Sequence, residues 1–137
     1  MDTYVSGVMR FRSGVIVSLT MRFDVQASQL PFLEVYGARG TLSVPDPKTF
    51  AGPVRVCPEG SAAFVDRPLK FPFEENSRGL GLSDMADGIR TGRTPRASGG
   101  LALHVLETMR GMMDSVVRGD AVGIERRPER PSPMRRL

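Results

Sequence analysis

The chain has 137 residues, of which 40% are apolar and 25% charged, with a formal net charge of +4 and one cysteine. That size suits one domain, burying roughly 65 to 70% of its unfolded surface, and no apolar run approaches the ~18 residues of a membrane span. Cys57 alone excludes an internal disulfide, and the opening MDTYVSGVMR has neither the basic start nor the apolar segment of a secretory signal, so a cytoplasmic location is expected. The positive charge is concentrated at the end: residues 125–137 hold five arginines against two glutamates, a balance of +3 that leaves about +1 for the rest. No aromatic side chains are interleaved there to stack on bases, and Pro128, Pro131 and Pro133 prevent a regular element, so this reads as a solvated tail and not a nucleic-acid arm.

The first element is a β-hairpin over Thr3 to Asp24. A three-residue loop, Arg12-Ser13-Gly14 with Gly14 left-handed, pairs Phe11 with Val15, Met9 with Val17, Gly7 with Leu19 and Val5 with Met21, so that one face is wholly apolar or glycine. A two-residue loop would shift the pairing by one and mix the faces. The second face then carries Tyr4, Ser6, Val8 and Arg10 beside Ile16, Ser18, Thr20 and Arg22, neither a clean core nor a clean solvent surface. Such a surface suits a partner.

After a polar connector, Leu33 to Tyr36 and Thr41 to Val44 form a second hairpin around Gly37-Ala38-Arg39-Gly40, with Tyr36 opposite Thr41, Val35 opposite Leu42 and Leu33 opposite Val44. Pro45-Asp46-Pro47 ends it, because proline gives the ladder no donor. Val54 to Cys57 and Ala63 to Val65 are short strands expected as an edge pair, with Cys57 a packing residue and not a nucleophile.

From Asn76 the apolar period lengthens to about 3.6. Leu82, Met85, Ala86 and Ile89 mark the inward face of a helix beginning near Asn76 or Ser77 and stopping at Gly92, with Asp84 and Asp87 on its exposed side. A second helix, capped by Ser98, runs from Leu101 to Val117 and stops at Gly119; its stripe is Leu101, Val105, Met109, Met112 and Val116, broadened by Ala102, Leu106, Met113 and Val117. Strands followed by helices predict an α+β fold, an open and mainly antiparallel sheet with helices on one face. The other face is free for oligomer contact through Tyr4, Val8, Arg10, Ile16, Ser18, Thr20, Arg22 and Tyr36. The expected organisation is one domain over residues 1–124 and an Arg/Pro-rich tail over 125–137.

Catalytic groups are scarce. His104, the only histidine, lies beside the second helix's apolar stripe and reads as a packing residue before a general base. One histidine and one cysteine offer little to a zinc site or a hydrolase triad, and no loop has the ligand spacing of a hard-cation site. Gly79-Leu80-Gly81-Leu82-Ser83-Asp84 opens like a dinucleotide fingerprint but lacks a preceding strand and has aspartate in place of the third glycine. Asn76 and Arg78, at the start of the helix, could bind hydroxyls or an anionic group of a substrate; capping with a surface ion pair is the competing role.

The succession Val5-Ser6-Gly7-Val8-Met9-Arg10-Phe11, Leu33-Glu34-Val35-Tyr36-Gly37, Gly40 to Pro47, Glu75-Asn76-Ser77-Arg78-Gly79-Leu80-Gly81 and His104-Val105-Leu106-Glu107 resembles the C-terminal domain of Gfo/Idh/MocA oxidoreductases, relatives of glucose-fructose oxidoreductase and inositol dehydrogenase. The resemblance spans nearly the whole chain and implies an α+β substrate domain whose open sheet face makes oligomer contacts. It also implies a separate Rossmann domain that binds NAD or NADP and carries a Glu-Lys-Pro lysine, with a catalytic aspartate and histidine early in the C-terminal domain. No residue here matches those, so neither catalytic nor cofactor-binding residues are assigned. The expected function is the substrate-binding and oligomerisation portion of an NAD(P)-dependent sugar or polyol dehydrogenase that does not catalyse alone; the alternative is a noncatalytic dimerisation module. The expected partners are a second copy, a Rossmann domain and a small sugar or polyol.

Overall fold

The computed structural model describes residues 3–50, 52–69, 73 and 78–134. The fold is α+β, with two open antiparallel sheets and two helices. The chain divides into two compact units, Met1–Gln29 with Leu106–Glu125, and Leu30–Val105 with Arg126–Leu137.

In the first unit β1 (Tyr4–Arg10) and β2 (Ile16–Arg22) form the expected hairpin, with Gly7 opposite Leu19 and Met9 opposite Val17. The Phe11 amide donates to the Val15 carbonyl at 2.8 Å, and Gly14 takes a φ of 89°, closing the three-residue loop that the apolar pairing demanded. Exposure alternates along β1: Val5, Gly7 and Met9 are half-buried while Tyr4, Ser6, Val8 and Arg10 are exposed. The same unit holds the C-terminal part of α2 (Gly99–Arg118), whose Met112 faces Gly7: a β-carbon on Gly7 would come within 2.8 Å of its methyl. Beyond Gly119 (φ 66°) the chain turns back, and Ile124 packs against the buried Gly111. The Glu107 carboxylate accepts from the Glu125 amide at 2.9 Å, fixing the return.

The second unit contains a four-stranded meander, β3 (Leu33–Gly37), β4 (Gly40–Val44), β5 (Val54–Pro58) and β6 (Val65–Arg67), in sequence order. The β3–β4 register is the expected one, with Tyr36 opposite Thr41 and Val35 opposite Leu42. Val35, Leu42, Val56 and Val65 continue one apolar row across all four strands. The two short strands pair as expected at one end of the sheet; β5 is also hydrogen-bonded to β4, so the edge strands are β6 and, at the far side, β3. The Ser61 hydroxyl, bonded to the Ala63 amide at 3.1 Å, holds Ala63 in a turn, and β6 therefore starts later than expected.

Helix α1 (Leu80–Thr91) begins after Gly79, later than expected, and stops at a left-handed Gly92 as anticipated. Ser98 caps α2 by accepting the Leu101 amide at 3.2 Å. Both helices correct the expected orientation. In α1, Leu82, Met85 and Ile89 are exposed at 73%, 45% and 77%, and the buried positions are Asp84 and Gly88. In α2, Val105, Met109 and Val116 are exposed, and Gly111 is the buried position. Glycine on the polar side lets neighbouring backbone close in, so each helix settles that side against its own chain. The α1 stripe is left uncovered, and in α2 only Leu101 and Met112 of the expected stripe are half-buried.

No apolar side chain among the described residues is fully buried. Stability drawn from apolar burial is correspondingly small. The meander's interior strands carry what packing there is, with Leu42, Val44, Val54 and Val56 half-buried.

Candidate functional site

The face of the hairpin turned away from Met112 exposes apolar groups. Its cross-strand pairs are Tyr4 with Arg22, Ser6 with Thr20, Val8 with Ser18 and Arg10 with Ile16. The Arg22 guanidinium lies 4.8 Å from the Tyr4 ring centroid, the Ser6 and Thr20 hydroxyls are 3.3 Å apart, and Thr3 Oγ1 donates to Asp24 at 3.2 Å. The hydrogen bond with Ser6, helped by that with Arg22, moves the Tyr4 hydroxyl below the usual tyrosine range. These contacts brace the end of the face away from the loop. Val8 at 70% and Ile16 at 66% exposure lie toward the loop end, beside Ser18 and Arg10.

Seven of the eight expected contact residues therefore share this face. Tyr36 lies in the other sheet, on the polar side of the meander with Glu34, and is 73% exposed. Its hydroxyl donates to Glu34 Oε2 at 2.5 Å, and that bond raises its ionisation above the usual range. Ser43, opposite Glu34, is buried, and Arg55 stacks on Phe64 at 5.6 Å.

Of the two expected substrate-binding residues, Asn76 lies outside the described residues, as does Ser77; Arg78 is exposed in the turn before α1. Gly79 to Asp84 does not fit a dinucleotide. Asp84, where the third glycine would stand, is committed elsewhere: its side chain is 5% exposed, and Oδ2 accepts the Arg96 amide at 2.7 Å. Oδ1 accepts Arg93 Nη2 at 2.9 Å and also pairs with Arg96 Nη1. Arg93 bridges onward to Asp87 at 3.0 Å, and Asp87 meets Arg90 at 2.9 Å. The Arg96 amide, with the two guanidiniums behind it, overrides desolvation and holds the Asp84 carboxyl below the usual carboxylate range.

This cluster corrects the reading of Asp84 and Asp87 as merely exposed. Asp84 and Gly88 stand one turn apart on the same side of α1, followed by Arg93-Thr94-Pro95-Arg96 just past the glycine stop. That spacing was the available signal: an acid beside a helical glycine, with two arginines within reach of a tight return. The tail also differs from a solvated end. It forms no regular element through Met134, but the Ser132 and Pro133 carbonyls accept from Arg96 at 2.9 and 3.1 Å.

His104 is half-buried on α2. Cys57 is half-buried on β5 and donates to the Ser61 carbonyl at 3.2 Å. Among the described residues no three His, Cys, Asp or Glu side chains gather as a metal site, and no helix is long and apolar enough to cross a membrane. Compared with protein-family models, with curated proteins and with solved structures, the chain matches none.

Proposed function

We propose that the chain is an association domain whose outward hairpin face docks a second copy, and that it serves as the oligomerisation and substrate-side portion of an NAD(P)-dependent sugar or polyol oxidoreductase of the Gfo/Idh/MocA kind. One observation carries the association: Val8 and Ile16, in adjacent pairs of the ladder, are held exposed on a two-stranded surface whose other side faces Met112. A two-stranded hairpin is marginal in isolation and gains most from further strands or a covered face. The oxidoreductase assignment rests on the sequence resemblance alone. Hydride transfer requires a nicotinamide held against the reacting carbon, and the helix start over residues 79–84, which opens like a dinucleotide fingerprint, has Asp84 turned into an arginine cluster. The cofactor and the catalytic lysine are therefore assigned to a Rossmann domain outside these residues.

Two measurements on the purified chain test this. Sedimentation velocity over a wide concentration range should show dimers or larger species, and titration with NADH should leave nicotinamide fluorescence unchanged. A monomer at high concentration overturns the association. Tight NADH binding, or turnover of a polyol by the chain unaided, overturns the division of labour. A second reading, a noncatalytic dimerisation module, is favoured by the absence of any fully buried apolar side chain among the described residues, which calls for a partner whatever the chemistry. An in-frame Rossmann segment in the genomic sequence upstream supports the enzyme reading, and its absence supports the module.

A further inference from the structure

We infer that Asp84 and Arg96 form a latch that holds the C-terminal tail as a releasable strap: Asp84 fixes the Arg96 guanidinium, and the guanidinium holds the tail. The observation is how one side chain is divided. Arg96 Nη1 is engaged by the buried Asp84 carboxylate, Nε donates to the Ser132 carbonyl at 2.9 Å, and Nη2 donates to the Pro133 carbonyl at 3.1 Å. A guanidinium is planar and its donors are rigidly disposed, so fixing one nitrogen on a carboxylate orients the other two. Asp84 also accepts the Arg96 backbone amide at 2.7 Å, which places the root of that side chain as well as its tip. Gly88 completes the seat: a β-carbon there would come within 2.7 Å of the Arg93 carbonyl and 3.3 Å of Pro95, so only glycine lets the segment leading to Arg96 lie this close to α1.

The tail needs such a holder. Pro131 and Pro133 have no amide to donate, and the segment lies in no helix or strand, so its carbonyls find no ladder. Arg96 supplies donors to two of them. Without the Asp84 charge the guanidinium would keep its solvated rotamers and lose the orientation that serves both carbonyls together. Tail docking is therefore conditional on a residue the tail does not touch in any described hydrogen bond. Arg93, Asp87 and Arg90 are the other charged groups of the cluster, and Arg93 remains with Asp87 whether or not the tail is bound.

Backbone amide relaxation on the full chain tests the latch at Arg130, Ser132 and Met134. In the wild type these amides should have order parameters near those of rigid backbone, about 0.85, and Arg96→Lys should drop them below about 0.6, as in a free chain. Lysine keeps a charge for Asp84 but cannot serve the carboxylate and two carbonyls with one plane of donors. Asp84→Asn should mobilise the same amides, and Arg90→Lys, which alters a neighbouring pair that does not reach the tail, should not. A tail that stays rigid in Arg96→Lys overturns the proposal, as does one already mobile in the wild type. Mobility in Arg96→Lys without mobility in Asp84→Asn overturns the conditional part. Should Asp84→Asn loosen α1 itself, seen in the amides of residues 80–91, Arg96→Lys decides alone, since it leaves Asp84 the backbone amide and Arg93.

Discussion

Gly88 lies so close to Arg93 that a β-carbon on it would stand 2.7 Å from the Arg93 carbonyl oxygen, and that oxygen belongs to backbone that cannot swing aside. Gly81, in the first turn of the same helix, has open space around the same position. Alanine should therefore have opposite effects at the two sites. Gly88→Ala forces the 93–96 segment outward and should destabilise by about 1 to 3 kcal/mol, whereas Gly81→Ala should stabilise by about 0.5 to 1 kcal/mol through the unfolded chain's entropy. Urea midpoints at constant slope measure both.

The two tyrosines are the chain's only phenols, and it has no tryptophan, so absorbance titration reads them directly. Tyr4 is shifted downward, chiefly by its hydrogen bond with Ser6, and Tyr36 upward, chiefly by donating to Glu34. Tyr36→Phe, which leaves Tyr4, should therefore titrate below the ordinary value of about 10, and Tyr4→Phe, which leaves Tyr36, above it. The reverse order of the two variants would contradict both hydrogen bonds.

Acid should weaken the second unit through Asp84. Its carboxyl ionises below the usual range because the Arg96 amide, then Arg93 and Arg96 side chains, favour the charged form. A folded value below the unfolded one means that the stabilisation is complete above the ordinary carboxylate range of about 4 and is lost as pH falls through the lower folded value. Asp87, lowered chiefly by Arg93, adds in the same direction and the same window. In Asp84→Asn the acid slope of stability below about pH 4 should flatten relative to the wild type. An unchanged slope would mean that the cluster contributes nothing.

The hairpins were legible in the sequence almost to the residue. A strand repeats every two positions, so only one register makes Val5, Gly7, Met9 and Phe11 meet apolar partners, and Gly14 supplies the loop that register requires. The helices' existence and stops were legible too, through Ser98, Gly92 and Gly119. Their orientation was not. Periodicity says that Leu82, Met85 and Ile89 share a side, but nothing in it says that a partner for that side lies within the same chain. The cluster was hidden for a related reason: Asp84 and Arg96 are twelve positions apart, and only the backbone closure at Gly88 brings them together.

Substitutions on the uncovered helical stripes should hardly register in the isolated chain. Ile89→Ser and Val116→Ser, each at a position 77% exposed, should change stability by no more than about 0.5 kcal/mol. Leu42→Ala, in an interior strand between Val35 and Val56, should cost at least about 1 kcal/mol. Equal losses at all three positions in a denaturant series would mean that the helical stripes are covered.

Charge placed on the outward hairpin face should act on association and not on folding. Val8→Glu and Ile16→Glu each put a carboxylate on a surface already exposed at 70% and 66%, so the fold tolerates them, while a docked copy would have to desolvate the charge. Sedimentation should show the oligomer shifting to monomer, with circular dichroism unchanged.

The lack of fully buried apolar side chains among the described residues has a calorimetric consequence. Ordinary domains absorb about 12 to 15 cal/mol/K per residue more heat once unfolded, because melting wets hydrocarbon that had been dry. A polypeptide whose hydrocarbon is largely wet beforehand has little left to hydrate, so its melting endotherm should be low and broad, sharpening only when something occupies its bare flanks.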